Sequence, residues 1–291
     1  MKKNIACLLS AIAAFCLIGC GEKKGDSPAI KTPFEQLQEA TGKTTVELTE
    51  DLTIEVEDET SVTFGGYGVE EIVLDGRNKG TKVKFTGSGK YALCAAYDGT
   101  LVFKNMTFED YTGSDWGLTG GWRQGYFELS GKVRFENCNI KASLFLCAGS
   151  ETEFKNCEFT SLAENMYSVW AAGKTVKMDG CTFKGFRGLK IHEQPEYDLL
   201  IERVDLTDCE FLNLTKKPGL AIGNIELDDE PTEIYLDGCL FENCQPWDKD
   251  GSYEGIDGFY EADTASGDFV FVWTDTTVDG WDAENLEVEY E

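Results

Sequence analysis

Basic residues are scarce in this chain of 291 residues: 26 Lys and Arg stand against 53 Asp and Glu, a formal net charge of −27. A surface so rich in negative charge repels nucleic-acid phosphates and anionic membrane surfaces, so no nucleic-acid partner is expected and a cation or a neutral glycan is the easier ligand. No Cys-x-x-Cys pair occurs among the 11 cysteines, which removes the usual spacing of a zinc site or a redox motif. Histidine is nearly absent, and any imidazole chemistry rests on His192 alone. The apolar run from Ile5 to Ile18 is too short to span a bilayer comfortably; behind Lys2 and Lys3 it has the length of a signal-peptide core.

What the chain does have is a repeat. LVFKNMTF at 101–108 returns as VRFENCNI (133–140), TEFKNCEF (152–159), VKMDGCTF (176–183), VDLTDCEF (204–211) and IYLDGCLF (234–241). The starts fall 32, 19, 24, 28 and 30 residues apart, which suits stacked coils joined by loops of variable length. Apolar residues at the first and third places alternate with polar ones as in a strand, and the pattern switches after the fifth place. That fifth place holds Asn105, Asn137, Asn156, Gly180, Asp208 and Gly238, residue types that accept a left-handed backbone at least cost. The sixth holds Met106, Cys138, Cys157, Cys181, Cys209 and Cys239, a predicted ladder of buried side chains. Parallel side chains that point the same way do not readily reach a disulfide dihedral, so free thiols are expected over bridges.

Strand, corner and strand in this order resemble the right-handed parallel β-helix of the pectate-lyase-like superfamily, over roughly residues 45 to 245. The resemblance implies an all-β solenoid of about eight coils, two of them begun by TVEL (45–48) and EIVLDG (71–76). Phe34, Leu37 and Ala40 recur at helical spacing behind Pro33, which predicts a short amphipathic helix capping the first coil within 33–44. Residues 246–291 depart from the repeat and read as a C-terminal cap with an acidic tail, FVFVW at 269–273 supplying a last strand. At the other end, Leu17-Ile18-Gly19-Cys20 resembles the bacterial lipobox. It implies removal of residues 1–19, lipidation of Cys20, a flexible tether over 20–32, and membrane attachment in the bacterial cell envelope, facing the periplasm or the exterior.

A second recurring strand precedes each motif, for example SVWAAG (168–173), GLKIHE (188–193) and GLAIGN (219–224). Alternation sends Leu129, Val169, Leu189, Ile191, Leu220 and Ile222 inward and Glu128, Trp170, Lys190 and His192 outward. In an enzyme, Lys190 or His192 would serve as base beside a uronate carboxylate neutralised by Arg187 or Arg203; the bland alternative is a solvated strand face. The insertion from Asp110 to Tyr126 carries Trp116, Trp122 and Tyr126. With Trp170 and Glu128 these form a candidate sugar-binding set, or they pack against the side of the solenoid. Asp248, Asp250 and Asp257 fall at calcium-loop offsets, but Pro246 stands at the first ligand position, so calcium is the one cofactor in view and none is required. No complete catalytic motif of the superfamily is present. The expectation is a lipid-anchored, exported β-helix with a non-catalytic binding or adhesive surface, for a glycan or a cell-surface protein. The alternative is a polysaccharide lyase or glycoside hydrolase.

Overall fold

The computed structural model describes residues 31–55, 64–65, 68–86, 93–95, 99–110, 125–129, 132–141, 144–148, 151–162, 164, 167–172, 174–193, 200–223, 225, 231–249, 251–264 and 267–282. At 54–55, 85–86, 93–95, 110, 125–129, 144–148, 172 and 281–282 it describes the backbone alone. The chain visits three long sheets in turn, and each strand pairs in parallel with its counterpart one coil further on. The first sheet has nine strands, from Gly42–Glu47 through Thr100–Lys104, Lys132–Glu136 and Arg203–Thr207 to Phe269–Thr274. The second has ten, among them Thr107–Asp110, Glu158–Ser161 and Glu210–Leu212; the third has eight, among them Val169–Ala172, Leu189–His192 and Leu220–Gly223. This is a parallel β-helix. The first sheet runs to nine strands rather than about eight because FVFVW forms the ninth.

The repeat produces this architecture because its alternation has a buried face to satisfy. Val133 and Phe135 are fully buried in Lys132–Glu136 while Arg134 and Glu136 stay half exposed, and the same parity holds for Val176, Met178, Val204 and Leu206. Coils stack at the strand spacing of about 4.8 Å, so like side chains meet like. Phe159, Phe183, Phe211 and Phe241 stack with ring centroids 4.6, 4.6 and 4.5 Å apart and planes within 5° of parallel. Each such pair contributes roughly 0.5–1.5 kcal/mol beyond its buried area. Cys138, Cys157, Cys181, Cys209, Cys239 and Cys244 are free and buried. Their thiols reach back to the preceding coil: Cys157 Sγ donates to the Phe135 carbonyl at 3.4 Å, Cys209 Sγ to Met178 at 3.5 Å and Cys239 Sγ to Leu206 at 3.4 Å. The ladder is hydrogen-bonded, not bridged.

The corners carry the predicted left-handed residues. Asn105, Asn137, Asn156 and Asp208 have φ of 56°, 53°, 51° and 49°. Their side chains also link coils, Asn105 Nδ2 donating to Asp75 Oδ1 at 3.0 Å and Asn137 Nδ2 to Asn105 Oδ1 at 3.3 Å. At Gly180, with φ 61°, a Cβ would lie 2.8 Å from Asn156 Oδ1, so glycine relieves both the backbone and the crowding. A second left-handed corner follows the second-sheet strands at Gly185, Asn213 and Asn243.

Both ends are closed. At the start, a helix over Pro33–Gln38 carries a capping box between Thr32 and Glu35 and buries Leu37, with Ala40 and Phe34 against the first coils. At the other end, Phe269, Phe271 and Trp273 pack on the core, and Tyr253–Ile256 and Trp281–Asp282 add antiparallel strands to the third and second sheets.

Candidate functional site

Register positions of the third sheet line up across coils. Cross-strand pairing places Tyr126, Phe145, Trp170, Lys190, Ala221 and Glu261 in one row. Beside it, Glu128, Cys147 and Ala172 pair in succession, and His192 pairs with Gly223. The alternation that buries Val169, Leu189, Ile191 and Ile222 completely or nearly so is what turns Trp170, Lys190 and His192 away from the core. One row therefore reads three aromatic positions, a cation, a small residue and a carboxylate.

Side chains at the centre of the face form one cluster. Lys190 Nζ lies 4.5 Å from the Trp170 ring centroid and 5.7 Å from that of Tyr167, and the Arg187 guanidinium sits 5.1 Å over the Tyr167 ring. The rings of Trp170 and His192 are 5.3 Å apart. Glu261 is only 2% exposed, and its charge is met by Lys217 Nζ at 2.9 Å and by the Tyr167 hydroxyl, which donates to it at 3.2 Å. Lys217 also reaches Asp248 at 3.9 Å and lies 5.0 Å over the Tyr253 ring.

Electrostatically the face is tense. Burial, with the neighbouring charge of Lys190, pulls the pKa of His192 from 6.5 down to about 4, so its imidazole is neutral at pH 7. Burial also lowers Lys190, against the pull of Glu261 and Asp263 and with help from Arg187 and Lys217. Burial first and then Glu261 push the Tyr167 hydroxyl well above its ordinary range. Lys190 makes no ion pair among the described residues, and the buried Nδ1 of His192 has no hydrogen-bond partner among them. Chemically the cluster offers aromatic surface, a cation and an uncharged imidazole, the parts of a polar-ligand site or of a proton-transfer site.

The sequence candidates divide accordingly. Arg187, Lys190, His192 and Trp170 come together. Arg203 does not: it lies on the outer face of the first sheet, bonded to Asp205 at 2.7 Å and stacked 3.9 Å over Tyr235. That face is a lattice of ion pairs, including Arg134–Glu153 at 2.6 Å, Lys177–Glu151 at 3.3 Å and Lys155–Asp179 at 3.3 Å, and it neutralises itself. Tyr126 and Glu128 hold the register positions given above; Trp116, Trp122, Asp250 and Cys20 lie outside the described residues. Of the calcium candidates, Asp257 pairs with Lys249 at 3.0 Å and Asp248 leans toward Lys217, and no metal-binding cluster exists among the described residues. Sequence reasoning missed Tyr167, Lys217, Gly223 and Glu261. Glu261 was out of reach because residues 246–291 break the repeat, so nothing announced that Tyr260–Asp263 would take the next place in the third sheet.

No protein-family model, curated protein or solved structure matches this chain. The chemistry of the third-sheet face is therefore the ground for a functional reading.

Proposed function

We propose that this protein is an exported, lipid-anchored β-helix that binds saccharide chains along the outer face of its third sheet without turning them over. The observation that carries the reading is the row Tyr126, Phe145, Trp170 and Lys190, three aromatic positions in adjacent coils ending at a half-buried cation without an ion pair among the described residues. Sugar rings present apolar faces to aromatic rings and hydroxyls to polar neighbours, and an extended chain matches a row of coils better than a single closed pocket does. The self-neutralised first-sheet face offers no comparable surface.

The test uses the full chain in mild detergent against a panel of neutral and acidic oligosaccharides, with binding and product release read together. Binding without release is expected. Trp170→Ala should weaken it about tenfold or more, in line with the loss of a buried aromatic contact. Binding unchanged in Trp170→Ala would remove this face from the reading. A second reading, a polysaccharide lyase, is favoured by one observation: the uncharged imidazole of His192, a group able to take a proton, stands beside the charge of Lys190. Product release lost in both His192→Ala and Lys190→Ala would put that reading first.

A further inference from the structure

We propose that residues 283–291 run back along Phe269–Thr274 as an antiparallel strand, so that the chain's own C-terminus occupies the end of the first sheet and withholds that edge from a second copy.

The second and third sheets each finish on an antiparallel strand, Trp281–Asp282 and Tyr253–Ile256. The first does not: Phe269–Thr274 pairs in parallel with Thr232–Asp237, and no described strand pairs with its other edge. The preceding coil shows what cover is missing. Its inward residues Ile234 and Leu236 are 0% and 1% exposed, whereas Phe271 and Trp273, which pair with them, stay half-buried. On the outer side Val270 and Val272 are 37% and 41% exposed. An open strand with apolar side chains on both faces is a template for further pairing.

The chain leaves Asp282 already heading for this edge. Asp279 and Gly280, at φ 47° and 81°, make a two-residue turn that pairs Val278 with Trp281 and Thr277 with Asp282. The Asn243 amide donates to Asp279 Oδ1 at 2.8 Å and ties the turn to the preceding coil. From there the returning chain meets the strand it has just left, one residue back for each residue forward. The corner between the first and second sheets keeps register, since Asp237 pairs with Thr274 before it and Leu240 with Thr277 after it, at one offset. Continued across that corner, the ladder sets Leu286 opposite Trp273, Val288 opposite Phe271 and Tyr290 opposite Phe269, and Glu291 ends opposite Asp268. The chain is thus long enough to cover the whole strand and stops where the strand begins.

Parity decides the fit. LEVEYE at 286–291 alternates strictly, as a strand with one apolar face does. In this register its three apolar residues meet the three half-buried aromatics. Glu287 and Glu289 fall beside Val272 and Val270, where their stems lie along the valines and their carboxylates stay in water. A slip of one residue would turn the glutamates onto the open end of the core. The edge that results carries a glutamate at each outward place, and a second copy would bring the same charges to it.

Two measurements on the full chain in mild detergent test the strand. Val272→Cys with Glu287→Cys sets two thiols directly opposite, within the Cα range of a disulfide, whereas Val272→Cys with Glu291→Cys leaves them on one face but about 13 Å apart along the strand. Mild oxidation followed by peptide mapping should find the first pair bridged within one chain about tenfold or more faster than the second. Amide hydrogen exchange over 269–274 should rise about tenfold or more in Leu286→Lys/Val288→Lys, which forces charge onto the inward face, and keep its wild-type rate in Glu287→Lys/Glu289→Lys. Equal bridging of the two cysteine pairs, bridging only between copies, or the same exchange in both lysine variants overturns the proposal.

Discussion

At the scale of single residues, two positions show how local chemistry sets the cost of a change. Asn156 turns the corner between the first and second sheets at φ 51°. Asn156→Ala should cost about 1–2 kcal/mol because a Cβ without a polar end pays the full left-handed penalty, whereas Asn156→Gly should be nearly neutral. Urea unfolding of the pair checks this, and equal losses would mean that the side-chain contacts of Asn156 matter more than its backbone. His192 makes the second case. Its folded-state pKa of about 4 lies below its ordinary 6.5, so between those values the unfolded chain binds a proton that the folded chain refuses. The stability this group contributes is complete above pH 6.5 and is lost as pH falls toward 4. His192→Gln should flatten the slope of stability against pH in that window by at most about 1.4 kcal/mol per unit. A slope identical to wild type would show that His192 keeps its ordinary affinity for protons. Both residues were legible as special in the sequence, Asn156 from its place in the repeat and His192 from its solitude. The direction of the His192 shift was not, because it depends on what buries the ring.

At the scale of elements, stability comes from ladders, not from any one strand. Phe211 is stacked on both sides, at 4.6 Å from Phe183 and 4.5 Å from Phe241, and is fully buried. Phe211→Ala should cost about 3–5 kcal/mol, since neighbouring coils are tied to their own sheets and cannot collapse into the gap. A loss under about 1 kcal/mol in urea unfolding would indicate that the coils relax around the cavity. The first-sheet ion pairs bear differently on stability. They are numerous but largely exposed, and such pairs contribute about 0–1 kcal/mol each, so their main effect is to fill that face with matched charge and leave it unfit for a charged ligand. The first corner was readable because Asn, Gly or Asp, the types that accept a left-handed backbone, stands there in every repeat. The second, at Gly185, Asn213 and Asn243, falls just beyond the repeated eight residues and went unread.

For the whole molecule, charge bears on how it meets a membrane. A net charge of −27 repels anionic lipid headgroups, and no helix among the described residues is long and apolar enough to cross a bilayer. In the proposed reading, attachment comes from a covalent chain at Cys20, and Cys20→Ser in the native host should move the protein from the membrane fraction to the soluble one. Retention in the membrane fraction would show that another contact holds it there.

The amino-acid sequence alone determined the solenoid: the spacing of LVFKNMTF and its copies, the corner residues, the cysteine ladder and the parity of the third-sheet strands are all local signals that stacking merely repeats. Tertiary structure alone decided the site. Arg203 and Lys190 are only 13 positions apart in the chain yet belong to different sheets, because each coil turns through three faces between them. Glu261, more than 90 residues from Tyr167, closes against it because stacked coils bring distant segments within hydrogen-bond reach. Which side chains share a face depends on how many residues each loop spends between strands, and that length has no periodic signal of its own.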